Sequence, residues 1–387
     1  MQKSSLYFTE HHHQFRKETR AFLMNEIVPL LESCEHDQAI SRIIWEKMGQ
    51  QGLLGLYHPK QWGGSEKDIF YTVILLEELG RTGYVGFRIA IALQAYMTTY
   101  YIQQKGSHAL KQNYLHPAIV GKKISALAIT EEDAGSDLSQ IKTNARCEGH
   151  DFIIYGKKYF VANGTTADFI IALVKTSNTT ALAKKGALGL SLIIIDRQSP
   201  GVKTTKMNTL GLHTLDTAFV SFDNVRVPQS NLLGDLNKGF LYVMQGMQLE
   251  RLSAGLLAIG GNDYCLKLTR AYLSKRKLYG SAAYQLQSIR HKMADLTTEQ
   301  EAIRQLAYHT AWLYAHQIGA PPMKECSMVK LYATELSKRV VDACLQFHGG
   351  KGYQADHPLS RIHRDIQATT ITAGTSEVMR DMIASLG

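Results

Sequence analysis

The spacing of apolar residues changes twice along this chain. It follows a helical period from Phe15 to about Val120, alternates with a period of two after Lys123, and becomes helical again from Gly239 onward. A period near 3.6 predicts amphipathic helices, whereas alternation between Gly, Asn, Asp or Pro boundaries predicts short strands. We therefore expect a helical first third, a compact antiparallel β domain and a helical last third, with domains at residues 1–122, 123–234 and 235–387.

Composition and charge narrow the class of protein. The 387 residues, with 45% hydrophobic and 20% charged residues, suffice for a large core and about two or three domains. The net charge of +9 favours acidic partners, but no long Lys/Arg block interleaves with aromatic residues, so nucleic acid is not expected. Five widely separated cysteines match neither a disulfide framework nor a zinc site, and we expect no metal. The start lacks a signal or transit peptide and no apolar run approaches a membrane span, so we expect a cytoplasmic protein.

Glu250 is the first candidate for chemistry. It lies at helical spacing among apolar residues, three residues after Met247, where a carboxylate is costly to bury. The residues three and four positions away on either side are Gly246, Met247, Ser253 and Ala254, so the helix itself offers no cation. A desolvated carboxylate without a partner has the character of a general base. The alternative is a structural carboxylate that pairs with an Arg or Lys of another segment.

Five short motifs follow one another along the chain, at residues 130–137, 158–164, 276–280, 346–353 and 374–377. The first reads TEEDAGSD and the second KYFVANG. Each motif alone is weak evidence, because Gly-rich turns usually serve only structure. Together they closely resemble the acyl-CoA dehydrogenases, and the resemblance spans nearly the whole chain. It implies an α+β multidomain fold with an N-terminal helical domain, a central antiparallel β-barrel or sandwich domain and a C-terminal four-helix bundle.

The resemblance implies an FAD site, one end of which holds the flavin. A flat, amphipathic flavin needs an apolar or aromatic wall and a few donors and acceptors at its edge. The residues that match this end are Leu127, Ile129, Thr130, Gly135, Ser136, Phe160 and Ala162. The alternatives are a strand residue at Thr130, a core aromatic at Phe160 and a simple turn at Gly135 and Ser136.

The other end of FAD, a pyrophosphate and an adenosine, requires positive charge and free backbone N–H groups. In the family these groups come from a neighbouring subunit, and the matching residues are Arg276, Tyr279, Gln287, Gln346, Gly349 and Gly350. Thr375 and Glu377 also match FAD contacts at the start of the last helix, where ordinary N-capping is the alternative explanation. The resemblance therefore implies at least a dimer, with a homotetramer as the default.

The resemblance also implies a reaction. Many members carry the catalytic Glu immediately before the Gly-Thr of the last motif, where this chain has Ala373. The isovaleryl and long-chain members carry it instead in a segment like L-E-R-L at the start of the C-terminal domain, and Glu250 matches that position. Glu250 is then expected to take the α-proton of an acyl-CoA while flavin N5 takes the β-hydride, which yields a trans-2-enoyl-CoA. Electron-transferring flavoprotein is the implied electron acceptor, and the residues implied to contact the substrate are Ser136, Arg251, Ala373 and Gly374.

Three residues on the flavin side depart from the family pattern: Phe160 replaces Trp, Ala162 replaces Thr and Tyr279 replaces Phe. Ala162 matters most, because it cannot offer the hydroxyl that the family Thr presents near flavin N5. A similar small residue occurs in relatives that oxidise aminoacyl groups tethered to carrier proteins. An acyl or aminoacyl thioester of a carrier protein is therefore an alternative substrate, and a non-catalytic FAD-binding scaffold is a further alternative. The sequence leaves acyl chain length open.

Overall fold

The computed structural model of the protein describes residues 6–177, 189–316 and 322–386. Its first third is helical, as the apolar period predicts. The helices are α1 (Glu10–Phe22), α2 (Val28–Asp37), α3 (Arg42–Gln50), α4 (Ile69–Gly80), α5 (Val85–Ala92), α6 (Thr99–Lys105), α7 (His108–Leu110) and α8 (His116–Ile119). Three π-helical turns interrupt or extend them, at Leu23–Ile27, Leu93–Thr98 and Lys111–Leu115. Asp68 caps α4 by accepting a hydrogen bond from the backbone N–H of Phe70 at 2.8 Å.

The middle third forms one mixed sheet. Its strands are β1 (Ser125–Ala128), β2 (Asn144–Glu148), β3 (Asp151–Val161), β4 (Phe169–Lys175), β5 (Leu190–Asp196), β6 (Val202–Lys206), β7 (Ala218–Pro228) and β8 (Leu232–Leu233). The strand order is β6-β7-β3-β2-β4-β5-β8, and β1 also pairs with β4. Most pairs are antiparallel as predicted, but β1 runs parallel to β4, and β2 pairs with β4 in parallel at one position. The long connection between β1 and β4, which includes β2 and β3, permits this parallel pairing.

Strand β4 is buried on both faces. Ile170, Ala172 and Val174 belong to one hydrophobic cluster, which also contains residues of α4 and α5. Phe169, Ile171 and Leu173 belong to a second cluster, which includes side chains of α6 and α8. Burial of both faces explains why this strand reads as a continuous apolar run.

The last third returns to helices, joined by a short hairpin. The elements are α9 (Gly239–Lys275), β9 (Lys277–Leu278), β10 (Ser281–Ala282), α10 (Gln287–His316), α11 (Met323–His348), α12 (Pro358–Asp365) and α13 (Ser376–Ser385). The three long helices α9, α10 and α11 pack against one another, and α13 packs against α11. The predicted succession of a helical domain, a β domain and a C-terminal helical bundle is confirmed. None of the described helices combines the length and the apolar character needed to cross a bilayer.

The N-terminal helices contact the C-terminal bundle closely, and two of these contacts involve α4. A Cβ atom on Gly80 of α4 would lie 2.7 Å from the Cα of Gly260 in α9, so this crossing requires a glycine. Nearby, the buried carboxylate of Glu77 accepts hydrogen bonds from Arg16 of α1 and from Arg304 of α10, the latter at 2.8 Å. These contacts fix α4 between α1, α9 and α10, and thereby fix the position of α9.

Candidate active site

Glu250 faces space inside the protein. It lies in the first third of α9, and between Gln248 and Asn262 only Glu250 and Ala254 retain partial exposure, while every other residue of that stretch is buried. Ala254 is one helical turn after Glu250 and therefore lies on the same face. Two part-exposed positions on one face of an otherwise buried helix indicate that this face borders an internal opening.

The Glu250 carboxylate has no partner in the described part of the chain. No hydrogen bond and no ion pair within 4.0 Å involves it, so the structural ion pair considered from the sequence is not formed. Burial raises the pKa of Glu250 to about 7, although the charges of Arg251 and Lys330 oppose this effect. The carboxyl group therefore exchanges its proton close to neutral pH, as a general base requires.

Arg251 follows Glu250 and is buried. Its Nε and Nη1 atoms have no hydrogen-bond partner, and its Nη2 atom contacts only the sulfur of Met247, at 3.8 Å. Burial lowers the pKa of Arg251. A buried guanidinium with free donors is suited to bind an acceptor group of a ligand.

Lys330 of α11 completes this group, and it is not among the residues predicted from the sequence. Its side chain is buried, and its Nζ atom donates a hydrogen bond to the carbonyl of Gly374. Burial lowers the pKa of Lys330 to about 8. The sequence does contain a pattern that points to Lys330. It lies at helical spacing with the apolar residues Cys326 and Ala333, as Glu250 does with the apolar residues of its own helix.

The hydrogen bond from Lys330 brings the last motif to Glu250 and Arg251. Ala373 and Gly374 precede α13 and adopt left-handed backbone conformations, with φ values of 58° and 95°. Both residues are half-buried. The structure thus assembles Glu250, Arg251, Ala373 and Gly374, four of the residues predicted from the sequence, around one added lysine.

The first two motifs meet at the end of β1. Leu127 lies in β1, Ile129 and Thr130 follow it, and all three are half-buried. The carbonyl of Thr130 accepts a hydrogen bond from the N–H of Tyr159 at 2.9 Å. The buried Lys158 donates to the carbonyl of Ile129 at 2.8 Å and pairs with Glu131 at 2.8 Å. These contacts hold the two predicted flavin-wall segments side by side.

Phe160 is not a core aromatic. Its side chain is 62% exposed, its φ is 56°, and the β3–β7 pairing shifts register between Lys158 and Val161. Such a bulge turns a side chain away from the regular sheet pattern. Ala162 is buried, whereas Gly135 and Ser136 are exposed, and a Cβ atom on Gly135 would meet nothing within 4 Å. An exposed aromatic ring and an exposed glycine loop are both suited to contact a flavin.

The residues predicted for the other end of FAD lie on an exposed surface at the ends of the long helices. Tyr279 is 99% exposed and the other members are also exposed. The ends of α9 and α11 meet there, because the rings of Tyr272 and His348 stack at 4.2 Å. The positions on this surface are Arg276, Tyr279, Gln287, Gln346, Gly349 and Gly350. An exposed arginine beside open glycine backbone fits a pyrophosphate.

The described residues contain no hydrogen bond, ion pair or ring contact between this surface and the Thr130–Phe160 side of the chain. Thr375 and Glu377 form a third location, at the start of α13. The Thr375 hydroxyl caps the helix by accepting from the N–H of Val378 at 3.3 Å, and Glu377 is exposed. Both residues border a surface hollow of about 480 Å³, which is also lined by Glu335, Lys338, Thr370, Ile371 and Ser376.

Comparison with known proteins shows the family of this chain. Models of the acyl-CoA dehydrogenase N-terminal, middle and C-terminal domains match residues 9–122, 126–225 and 237–386. The chain is 35% identical to the long-chain specific acyl-CoA dehydrogenase of Sus scrofa mitochondria, over 97% of this chain and 86% of that protein.

Solved structures agree with this assignment. An acyl-CoA dehydrogenase from Geobacillus kaustophilus superposes with a TM-score of 0.94 at 35% identity over 99% of both chains. The prolyl acyl carrier protein oxidase AnaB superposes with a TM-score of 0.90 at 27% identity, over 98% of this chain and 99% of that one. The chain belongs to the acyl-CoA dehydrogenase family, whose members are oxidoreductases that act on the CH–CH bonds of acyl thioesters.

Proposed function

We propose that this protein is an FAD-dependent acyl-CoA dehydrogenase that converts an acyl-CoA to a trans-2-enoyl-CoA, with Glu250 as the catalytic base. The proposal rests on the environment of Glu250 and on its raised pKa. It borders an internal opening, has no ion-pair partner among the described residues, and has a pKa raised by burial to about 7. Burying an unpaired carboxylate costs stability, and a structural ion pair that would offset this cost is not formed.

The reaction requires two groups to act on the substrate. The α-proton of a thioester is weakly acidic, so a donor must polarise the carbonyl while a base removes the proton. Glu250 takes the α-proton, and the backbone N–H near Ala373 donates to the carbonyl oxygen. Lys330 holds that backbone segment through the carbonyl of Gly374. When bound, FAD supplies the acceptor for the hydride that leaves Cβ.

The FAD site, the assembly and the electron acceptor are parts of the same proposal. The Thr130 and Phe160 segments form the flavin wall, and the exposed surface at Arg276 and Gly349 holds the FAD of a neighbouring subunit. This arrangement is supported by the exposure of that surface in a single chain, and it needs at least a dimer, with a homotetramer as the proposed state. Electron-transferring flavoprotein takes the electrons, and the compartment is the cytoplasm.

A carrier-bound acyl or aminoacyl thioester is the second candidate substrate. Two observations favour it: the similarity to the prolyl acyl carrier protein oxidase AnaB, and the small residue Ala162 on the flavin side. The net charge of +9 suits an acidic carrier protein, but it equally suits the phosphates of CoA.

An anaerobic titration distinguishes the candidates. FAD-loaded protein is titrated with short, branched and long saturated acyl-CoAs while the absorbance of the oxidised flavin is followed. We expect one class of acyl-CoA to bleach the flavin. Bleaching only by a carrier-bound thioester would replace the CoA substrate with a carrier, and no bleaching by either would reject the dehydrogenase proposal.

Glu250→Gln tests the base directly. We expect turnover to fall by at least about a thousandfold while FAD remains bound, because the amide cannot accept the α-proton. The folded protein holds Glu250 with a pKa above its unfolded value, so its charge costs stability as the pH rises through about 7. The variant should therefore be more stable than wild type at pH 9, by about 1–3 kcal/mol in the free energy of unfolding.

Glu46→Gln is the matched control, since Glu46 is exposed on α3. It should leave both turnover and stability unchanged. Retained turnover in Glu250→Gln would assign the base to another carboxylate.

A further inference from the structure

The opening beside Glu250 is short along α9. Glu250 and Ala254, one turn apart, are part-exposed, but Leu257 is 4% exposed and Ala258 is 1% exposed. Leu257 comes about two helical turns after Glu250, so its side chain lies on the same face of the helix. A rise of about 1.5 Å per residue places Ala254 about 6 Å and Leu257 about 10 Å beyond Glu250. Along this face, the opening therefore ends between Ala254 and Leu257.

Helix α4 closes this face of α9 beyond the opening. A Cβ atom on Gly80 of α4 would lie 2.5 Å from the carbonyl oxygen of Leu257, and a Cβ atom on Gly260 would lie 2.1 Å from the carbonyl oxygen of Glu77. The two backbones therefore touch, and an acyl chain has no room between them. The ion pair between Glu77 and Arg304 of α10, at 2.8 Å, holds α4 in this position.

The π-helical turn Leu93–Thr98, which packs against α9, changes in the same way from a part-exposed to a buried residue. Met97 is part-exposed, whereas Leu93, about one turn earlier, is 7% exposed. Ile89 of α5, a further turn away, is part-exposed again, but the buried Leu93 comes between Ile89 and Met97. Two elements that pack against each other thus each carry a part-exposed residue followed by a buried leucine.

The size of this space limits the length of an acyl chain. The proposed reaction places the α-carbon beside Glu250, so the carbons beyond it have to fit along the open face of α9. C–C bonds of about 1.5 Å advance an extended chain by about 1.3 Å per carbon. A space that ends about 6–10 Å beyond Glu250 must also hold the bulk of the terminal methyl group. It therefore takes acyl groups of up to about eight carbons.

We propose that Leu257 and Leu93 form the floor of the acyl pocket and restrict the enzyme to thioesters of short and medium acyl chains, up to about eight carbons. This rests on the proposed function, because it takes Glu250 as the site of the α-carbon. A longer chain has to leave its end in water or separate α4 from α9 at their glycine crossing. Both arrangements cost binding free energy, the first through lost apolar burial and the second through lost packing.

The test measures binding of trans-2-enoyl-CoAs, which are products and need no turnover. FAD-loaded protein is titrated by isothermal calorimetry with butenoyl-, hexenoyl-, octenoyl-, dodecenoyl- and hexadecenoyl-CoA, each below its micelle concentration. We expect the dissociation constant to fall by about twofold to fourfold for each added methylene up to octenoyl-CoA, because each one is buried. From octenoyl- to hexadecenoyl-CoA it should rise by at least about tenfold, because the additional carbons have no site.

Two substitutions change the depth of the pocket in opposite directions. Leu257→Ala should move the tightest ligand to chains about two or three carbons longer, because alanine leaves the outer part of the leucine side chain empty. Ala254→Leu should weaken octenoyl-CoA binding by at least about tenfold and leave butenoyl-CoA binding within about twofold of wild type. The second variant fills an open position and creates no cavity, so it tests the proposal even if Leu257→Ala fails to fold.

Leu252→Ala is the matched control. Leu252 is buried in the same helix but lies two residues after Glu250, on the opposite side. This substitution removes the same atoms from the core as Leu257→Ala, so it should lower stability while leaving the order of the five ligands unchanged. The melting temperature of each variant shows whether it is folded.

Each outcome decides a different claim. Affinity that rises steadily to hexadecenoyl-CoA in wild type, or an unchanged order of ligands in either folded pocket variant, would overturn the floor at Leu257 and leave the dehydrogenase proposal standing. Binding of the enoyl-CoAs without bleaching of the flavin by any saturated thioester would reject the dehydrogenase proposal, and the calorimetric series would still decide the depth of the pocket. Absence of binding by all five ligands would overturn both proposals.

Discussion

At the scale of the residue, the proposed role of Glu250 as the base predicts how the reaction depends on pH. Burial raises its pKa to about 7, and only the deprotonated form can accept the α-proton. We expect kcat/KM to fall about tenfold for each pH unit below 7 and to level off above it. The rate of anaerobic flavin reduction, measured from pH 5 to pH 9, checks this. A midpoint near the ordinary value of a Glu, about 4.3, would contradict a desolvated base.

Single polar residues on apolar stripes were the informative signal in the sequence. This pattern predicts Glu250, and Lys330 and Arg88 carry the same pattern in their own segments. What the sequence does not show is whether such a group has a partner. Glu77 is also a carboxylate in an apolar helix; Arg81, four residues later, is visible in the sequence, whereas Arg16 and Arg304 come close to it only in the folded chain. Only the tertiary structure separates a paired carboxylate from a free one.

At the scale of the element, Lys330 ties α11 to the turn that precedes α13. Its charge lowers the pKa of Glu250, and its hydrogen bond holds the carbonyl of Gly374. We expect Lys330→Met to move the acid limb of the kcat/KM profile to higher pH, since the opposing cation is lost. The free energy of unfolding should change by no more than about 2 kcal/mol, because a lost hydrogen bond and a removed buried charge partly cancel. A pH profile and a denaturant titration measure the two effects.

Lys324→Met on the same helix is the control for this substitution. Lys324 lies in the first turn of α11, on a different face from Lys330. Lys324→Met should leave the pH profile of kcat/KM unchanged. An unshifted acid limb in Lys330→Met would limit Lys330 to a structural role.

Local patterns predict whether an element is a helix or a strand better than they predict which strands pair with each other. The switch to alternation after Lys123 correctly predicted strands, and the return of the helical period predicted α9, α10 and α11. The parallel pairing of β1 with β4 was not predicted, because a strand's apolar pattern shows which face is buried and does not show its neighbour. The exposed surface near Arg276 followed from family resemblance, since nothing in a single chain distinguishes exposed binding residues from ordinary surface.

At the scale of the whole molecule, the ion network around Glu77 joins the N-terminal helices to the C-terminal bundle. Burial alone would raise the pKa of Glu77, but Arg16, Arg304 and Arg81 outweigh it and lower the pKa to about 2. This stability is present above the unfolded pKa of about 4.5 and is lost as the pH falls toward about 2. We expect Glu77→Gln to lower the free energy of unfolding by about 3–5 kcal/mol at pH 7, because it leaves buried arginines without their partner. Urea unfolding at pH 7 measures the loss.

A surface ion pair supplies the comparison for this substitution. Glu26→Gln breaks the pair between Glu26 and Lys47 and should cost no more than about 1 kcal/mol. Equal losses in the two variants would show that the network at Glu77 does not hold the domains together.

The length of α9 places widely separated positions on or next to one helix. Its 37 residues span about 55 Å without a break. Glu250 lies in its first third, Gly261 is next to Arg88, and Arg276 follows its last residue. The proposed base and the proposed contact with a neighbouring subunit therefore lie on one continuous helix. We expect a disturbance of assembly to displace the base as well.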